Sequence, residues 1–314
     1  LMSNDTDPYS KWDAAQTLMM DVTLSMLTDG ATVDERLLSG LRDVAINAEL
    51  DPAFRALTLT QPARSDVMQR LYNAGNTPDP FAIHAAQETI SHSLAEALQN
   101  DLGTIYVENQ VRAPFAPTAQ QAGQRALANM ILGLITRLDG GTEARKQFET
   151  ADNMTSTLGA LGALLSCEYG VNASQQFYET WKHERLVIDK WFSIQMTHAK
   201  PEEALDVVDR LSAHTDFSIK NPNRFRSVFG PFAGHAGFHA TDGRGYDTLA
   251  DWLIKLDKIN PQPTARSCSA FDSWRIFAPE RQTQMQTAMQ RILDQEDLSR
   301  DTREMLTRIL GEDG

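Results

Sequence analysis

The sequence predicts an all-α chain, a superhelical array of antiparallel helix pairs of the armadillo/HEAT α-solenoid type. Three observations predict it. Apolar residues recur at helical spacing, as in Leu127, Met130, Ile131, Leu134, Ile135 and Leu138, which places one apolar stripe along a helix. Asp-Pro or Asn-Pro pairs punctuate the chain at Asp7-Pro8, Asp51-Pro52, Asp79-Pro80, Asn221-Pro222 and Asn260-Pro261. Strand signals are nearly absent, the best being the short run Thr104 to Val107.

Each of the five proline pairs reads as a helix start. The Asp or Asn side chain accepts from the free N–H groups of a first turn, and a proline at the first position loses no hydrogen bond there. These starts and the apolar stripes predict helices over 9–28, 34–49, 52–58, 63–73 and 80–102. Further helices are expected over 118–138, 142–150, 155–167, 173–184, 186–197 and 201–213. The last five are expected over 222–230, 245–258, 261–270, 279–295 and 299–310. Leu249, Trp252, Leu253, Leu256 and Ile259 carry one late stripe; Met285, Met289, Ile292 and Leu293 carry the next. Short links favour antiparallel neighbours stacked as helix pairs. No repeated motif is visible, so the repeat is structural rather than sequential. Residues 1–8 read as an N-terminal tail and residues 9–314 as one helical domain. Asn109 to Thr118, with two prolines, is expected to join two lobes of it.

A hydrophobic fraction of 41% across 314 residues supports a sizeable core. A formal net charge of −13 disfavours nucleic acid and anionic membrane surfaces, both of which select basic faces. No apolar run is long enough to span a bilayer. The start lacks the basic and apolar regions of a signal peptide, and a chain opening on Leu1 reads as an excised fragment. Cys167 and Cys268 sit among apolar or small neighbours and read as buried free thiols of a reducing, cytoplasmic compartment.

Catalytic motifs are missing: there is no His-Glu-x-x-His, no Gly-x-Ser-x-Gly and no glycine-rich phosphate loop. His235 and His239 have metal-like spacing, but Gly234 and Gly237 argue against a helix there. They read as solvated or capping loop histidines, with no metal site expected. The anomaly is the glycine-rich stretch from Asp216 to Tyr246, which places Lys220, Arg224, Arg226 and Arg244 in an acidic chain. An arginine fork matches a carboxylate at two points. The stretch therefore reads either as a carboxylate-recognising wall or as a set of internal salt bridges. A second candidate is Gln262 with Arg266, one turn apart after Asn260-Pro261. The five tryptophans read as core.

The segment Lys220-Asn-Pro-Asn-Arg-Phe-Arg226, followed by Ser227-Val-Phe-Gly230 and Phe238-His-Ala-x-Asp-Gly-x-Gly-Tyr246, resembles the C-terminal domain of the bacterial aminopeptidase N family. Ser10-Lys-Trp-Asp-Ala-Ala-Gln16, Ala151-Asp-Asn-Met-Thr155, Leu186-Val-Ile-Asp-Lys-Trp-Phe192 and Asn260-Pro-Gln262 with Arg266 match in the same order. Residues 231–237 and Pro263 depart from the family pattern. The family comprises gluzincin zinc peptidases that release N-terminal residues. Its zinc ligands lie in a thermolysin-like domain that nothing here matches. The resemblance implies a helical domain, non-catalytic by itself, that caps the catalytic cavity and lines a peptide channel. Its partners would be the thermolysin-like domain of the same parent and the C-terminal part of a bound peptide. The cofactor of the parent would be zinc, with none held here. Arg226, Gln262 and Arg266 would line the channel, while Arg224 and Asn223 would be structural. The rival readings are a stand-alone α-solenoid that binds a protein, and a hydrolase built on His235 and His239.

Overall fold

The structure, a computed structural model, describes Asp5 and residues 7–311. Among the described residues it holds seventeen α-helices, short 3₁₀ turns and no strand. The all-α prediction therefore holds. The chain forms two compact units, Leu1–Leu71 with Ala82–Gln176, and Tyr72–Phe81 with Phe177–Gly314.

In chain order the first ten helices are α1 (Pro8–Thr28), α2 (Glu35–Ile46), α3 (Pro52–Leu59), α4 (Arg64–Asn73), α5 (Pro80–Ala97), α6 (Leu102–Glu108), α7 (Ala119–Asp139), α8 (Thr142–Thr150), α9 (Met154–Leu165) and α10 (Gly170–Trp181). They are followed by α11 (Arg185–Thr197), α12 (Ala204–Ser212), α13 (Pro222–Ala233), α14 (Arg244–Asp257), α15 (Pro261–Ser267), α16 (Pro279–Leu293) and α17 (Arg300–Leu310). All five proline pairs open helices. Asp7, Asp51 and Asn221 each accept a hydrogen bond from a backbone N–H of their helix's first turn, and Asp79 accepts from the Phe81 N–H at 3.0 Å. Asn260 stands at the α15 start without such a side-chain bond.

In the first unit α7 is the central helix. It packs against α3, α6, α8 and α9, burying Leu127, Ile131 and Leu134. Leu138, at the end of the same stripe, is exposed. Val67, Leu71 and Ile83 form a further core cluster with Met20, Leu24, Leu27 and Met68 against it. Residues 109–118 lie inside this unit, between α6 and α7.

In the second unit α11 packs on α13, α14 on α16 and α15 on α17. A helix meeting the helix two places on is the contact rule of a stacked-pair array, since each pair buries its stripe on its neighbour.

Two local expectations are corrected. Thr104 to Val107, the best strand signal, lies in α6, where Leu102, Ile105 and Tyr106 are buried. Their spacing is a helix face, and it outweighs β-propensity in so short a run. The helix expected to stop at residue 230 runs through Pro231 to Ala233. The proline removes one backbone donor, but buried Phe225, Val228, Phe229 and Phe232 keep the last turn packed.

Candidate functional site

Helices α11 and α13 border an open pocket of about 510 Å³ in the second unit. Leu186, Asp189, Lys190 and Ser193 line it from α11. Asn223, Arg226 and Ser227 line it from α13. These positions are three and four apart on each helix, so each set forms one face.

Arg224, one residue before Arg226, is turned away into the protein. Its side chain is 7% exposed and its Nε donates to Asp189 Oδ1 at 2.6 Å. Nη1 donates to the Asp216 carbonyl and Nη2 to the Arg185 carbonyl. The guanidinium also lies 4.9 Å from the Phe192 ring centre. Arg224 thus joins α13 to α11 and fixes the turn before α13. The Asp216 carboxylate is engaged as well, accepting from the Tyr178 hydroxyl at 2.7 Å. This is the internal salt-bridge reading, realised at Arg224.

Arg226 is different. It is exposed, and its Nη2 donates to Asn223 Oδ1 at 2.8 Å. Asp189, the carboxylate of the same pocket, is already held by Arg224. With that pair neutralised, Lys190 and Arg226 leave the pocket a net positive wall. Lys220 is exposed, and exposed Arg244 is paired with Asp242 at 2.5 Å. Of the four cations in the Asp216–Tyr246 stretch, only Arg226 therefore lines this pocket.

Gln262 and Arg266 lie one turn apart on α15, both exposed. They do not line the α11–α13 pocket. Sequence reasoning missed Lys190 and Asp189 as pocket residues. Their signal was present in the Leu186–Phe192 block, where Leu186, Asp189, Lys190 and Ser193 share a helical face.

The histidine pair is not solvated. His235 and His239 are 3% and 6% exposed. His235 caps a 3₁₀ turn: its Nδ1 accepts from the Gly237 N–H at 3.1 Å and its Nε2 donates to the Ala199 carbonyl at 3.0 Å. His239 Nδ1 lies 2.9 Å from the Tyr246 hydroxyl. Burial, with Arg281 adding repulsion, pushes the His239 pKa down to about 3. With both His235 ring nitrogens bonded and His239 Nδ1 held by Tyr246, these residues do not fit a zinc ion. Among the described residues no three His, Cys, Asp or Glu side chains gather as a metal-binding group.

Two glycines of the stretch are required where they stand. A Cβ on Gly245 would lie 2.1 Å from the Phe238 carbonyl oxygen, so only glycine lets α14 start against that turn. Gly243, at φ +76°, supplies the left-handed residue before it. Cys268 is fully buried and Cys167 half-buried, and both are free thiols. Burial pushes the Cys268 thiol up to about 12, which makes it a packing residue rather than a nucleophile. Trp191 and Trp274 are buried, whereas Trp12, Trp181 and Trp252 are half-buried.

Comparisons with known proteins extend over the same residues. A family described as a domain of unknown function (DUF3458_C), ARM repeats, matches residues 1–311. The chain is 32% identical to aminopeptidase N of Caulobacter vibrioides over 321 aligned residues, covering 99% of this chain and 36% of that protein. It is 31% identical to aminopeptidase N of Escherichia coli, again over 99% of this chain and 36% of that protein. Among solved structures, Legionella pneumophila aminopeptidase A, determined in complex with aspartic acid, matches with a TM-score of 0.88 at 26% identity. That match covers 99% of this chain and 38% of the other. The chain thus spans little more than a third of the length of these relatives.

Proposed function

The chain belongs to the DUF3458_C family of ARM repeats, and from that premise we propose that it works as the C-terminal helical domain of a zinc aminopeptidase. In this reading the zinc and the peptide-cleaving groups belong to a thermolysin-like domain of the parent chain. The helical domain caps the catalytic cavity and lines the channel in which a peptide lies. Arg226, Gln262 and Arg266 face that channel, and the arginines hold the peptide's C-terminal carboxylate. Free Cys167 and Cys268 support a reducing, cytoplasmic setting. Among the described residues no helix is long and apolar enough to cross a membrane.

The observation that carries the reading is the contrast at α13. Arg224 is consumed by Asp189, which frees the neighbouring Arg226 to present an unneutralised fork to an open pocket. Such a fork gains most from a carboxylate, because a charge-assisted bidentate pair replaces solvent. Holding the distal end of a peptide positions its scissile end without touching it.

The test uses the full-length parent enzyme. Replacing Arg226 or Arg266 with Gln is expected to raise KM about tenfold for peptides with a free C-terminus. The same peptides ending in an amide should change little. Equal effects on both peptide forms would remove the carboxylate role. Hydrolysis of an aminoacyl anilide by the pure 314-residue chain would overturn the non-catalytic assignment.

A further inference from the structure

A second cavity, of about 480 Å³, lies within the first unit and shares no lining residue with the α11–α13 pocket. Its polar wall is Gln61, Arg64, Gln87, Glu88, Asn129 and Arg137. Its apolar wall includes Leu59, Ile90, Leu94 and Met130.

Gln61, Gln87, Glu88 and Arg137 of the polar wall are held by hydrogen bonds. Arg137 Nη2 donates to both Glu88 oxygens, at 3.1 and 2.9 Å, and Nη1 to the Gly133 carbonyl at 2.9 Å. Gln61 Nε2 donates to the Gln87 carbonyl and the Ser91 hydroxyl, both at 2.8 Å. Gln87 Nε2 donates in turn to the Pro62 carbonyl at 2.8 Å. These bonds fix the Gln61 amide so that its Oε1 is the remaining acceptor.

Three polar atoms of this wall are buried without a protein partner: Arg64 Nη1, Arg137 Nε and Gln61 Oε1. Each such atom is unfavourable if nothing satisfies it, because it has given up its hydrogen bond to water. Burial lowers the Arg64 pKa, with Glu88 opposing. Glu88 is already shared with Arg137, so two guanidinium groups face one carboxylate and the wall is one positive charge in excess.

The unmet chemistry is an anionic acceptor for the guanidinium groups, one donor for Gln61 Oε1, and an apolar body for the other wall. A fatty acid lacks the donor, and phosphate lacks the apolar body. A zwitterionic amino acid with an aliphatic side chain supplies all three. We propose that this cavity of the first unit binds a free apolar α-amino acid of leucine's class. Its carboxylate sits on Arg64, its ammonium on Gln61 Oε1 beside Glu88, and its side chain against Leu59, Ile90 and Met130.

The test is isothermal titration of the chain with L-leucine, L-leucinamide and glycine. Saturable L-leucine binding is expected. Leucinamide lacks the carboxylate and glycine lacks the apolar body, and each should bind at least about tenfold more weakly. Arg64→Gln should weaken L-leucine by a similar factor. The leucinamide comparison uses the unaltered chain and stands whether or not the variant folds well. No saturable L-leucine binding would mean that the wall is satisfied by water alone and would overturn the proposal. Leucinamide binding as tightly as leucine, or a folded R64Q chain binding leucine unchanged, would overturn it too.

Discussion

The two faces of α13 carry the same residue type to opposite ends. Arg224 is 7% exposed on its side chain and bonded to a carboxylate and two carbonyls of other segments. Arg226, two positions on, is exposed and bonded only to Asn223 on its own helix. Positions two apart on a helix point to different sides. Composition could therefore not say which arginine was internal. The pair also shows how a buried ion pair shapes a surface: by neutralising Asp189, Arg224 leaves the pocket wall to Lys190 and Arg226.

The comparison is most exposed to Arg224→Ala. That change strands Asp189, itself 17% exposed, and should cost about 3–5 kcal/mol because a partly buried charge loses its partner. Urea denaturation of the chain measures this. A loss no larger than that of Arg226→Ala would erase the distinction between the faces.

Next in size is Gly245→Ala. Its Cβ would meet the Phe238 carbonyl oxygen at 2.1 Å, and backbone must move to admit it. A loss of about 1–3 kcal/mol, occasionally more, is expected for such overpacking. A Tm equal to that of the unaltered chain would show that Gly245 is not there for packing.

The buried histidine gives a pH signature. Folding holds the His239 pKa at about 3, below its ordinary 6.5. The unfolded chain therefore binds the proton first, and the stabilisation is present in full above pH 6.5. It is lost as pH falls from 6.5 towards about 3, by roughly 2 kcal/mol over the first two or so pH units. Denaturation midpoints of the His239→Gln chain should depend less on pH in that window. An equal slope in both chains would place the proton uptake elsewhere.

The smallest stability effect is expected at Arg226. Arg226→Ala should change stability by no more than about 0.5 kcal/mol, as surface substitutions do. Its effect should surface instead in the peptide KM of the parent. A large stability loss would turn Arg226 into a second structural arginine.

Much of this was legible from residues near one another in the chain. The Asp-Pro and Asn-Pro starts were readable because capping uses bonds within one turn, as the Asp51 bonds to the Ala53 and Phe54 N–H groups illustrate. The apolar stripes were readable because a helix face has a fixed period. Helix ends were less so: Pro231 is a breaker by local rules, yet Phe232 is fully buried and α13 continues past it. The burial of His235 and His239 was invisible for the same reason, since their surroundings include Ala199 and Arg281.

The sequence by itself determined the all-α class, the helix starts, the family likeness and the arginine-bearing stretch, because these rest on composition, period and turn-length bonds. The family likeness already implied a structural Arg224; only the tertiary structure showed what holds it. The Arg224–Asp189 pair spans 35 positions, and the pocket beside it exists only where α11 packs on α13. Burial and net field at a point are sums over neighbours brought together by folding, and no local pattern in the chain contains that sum.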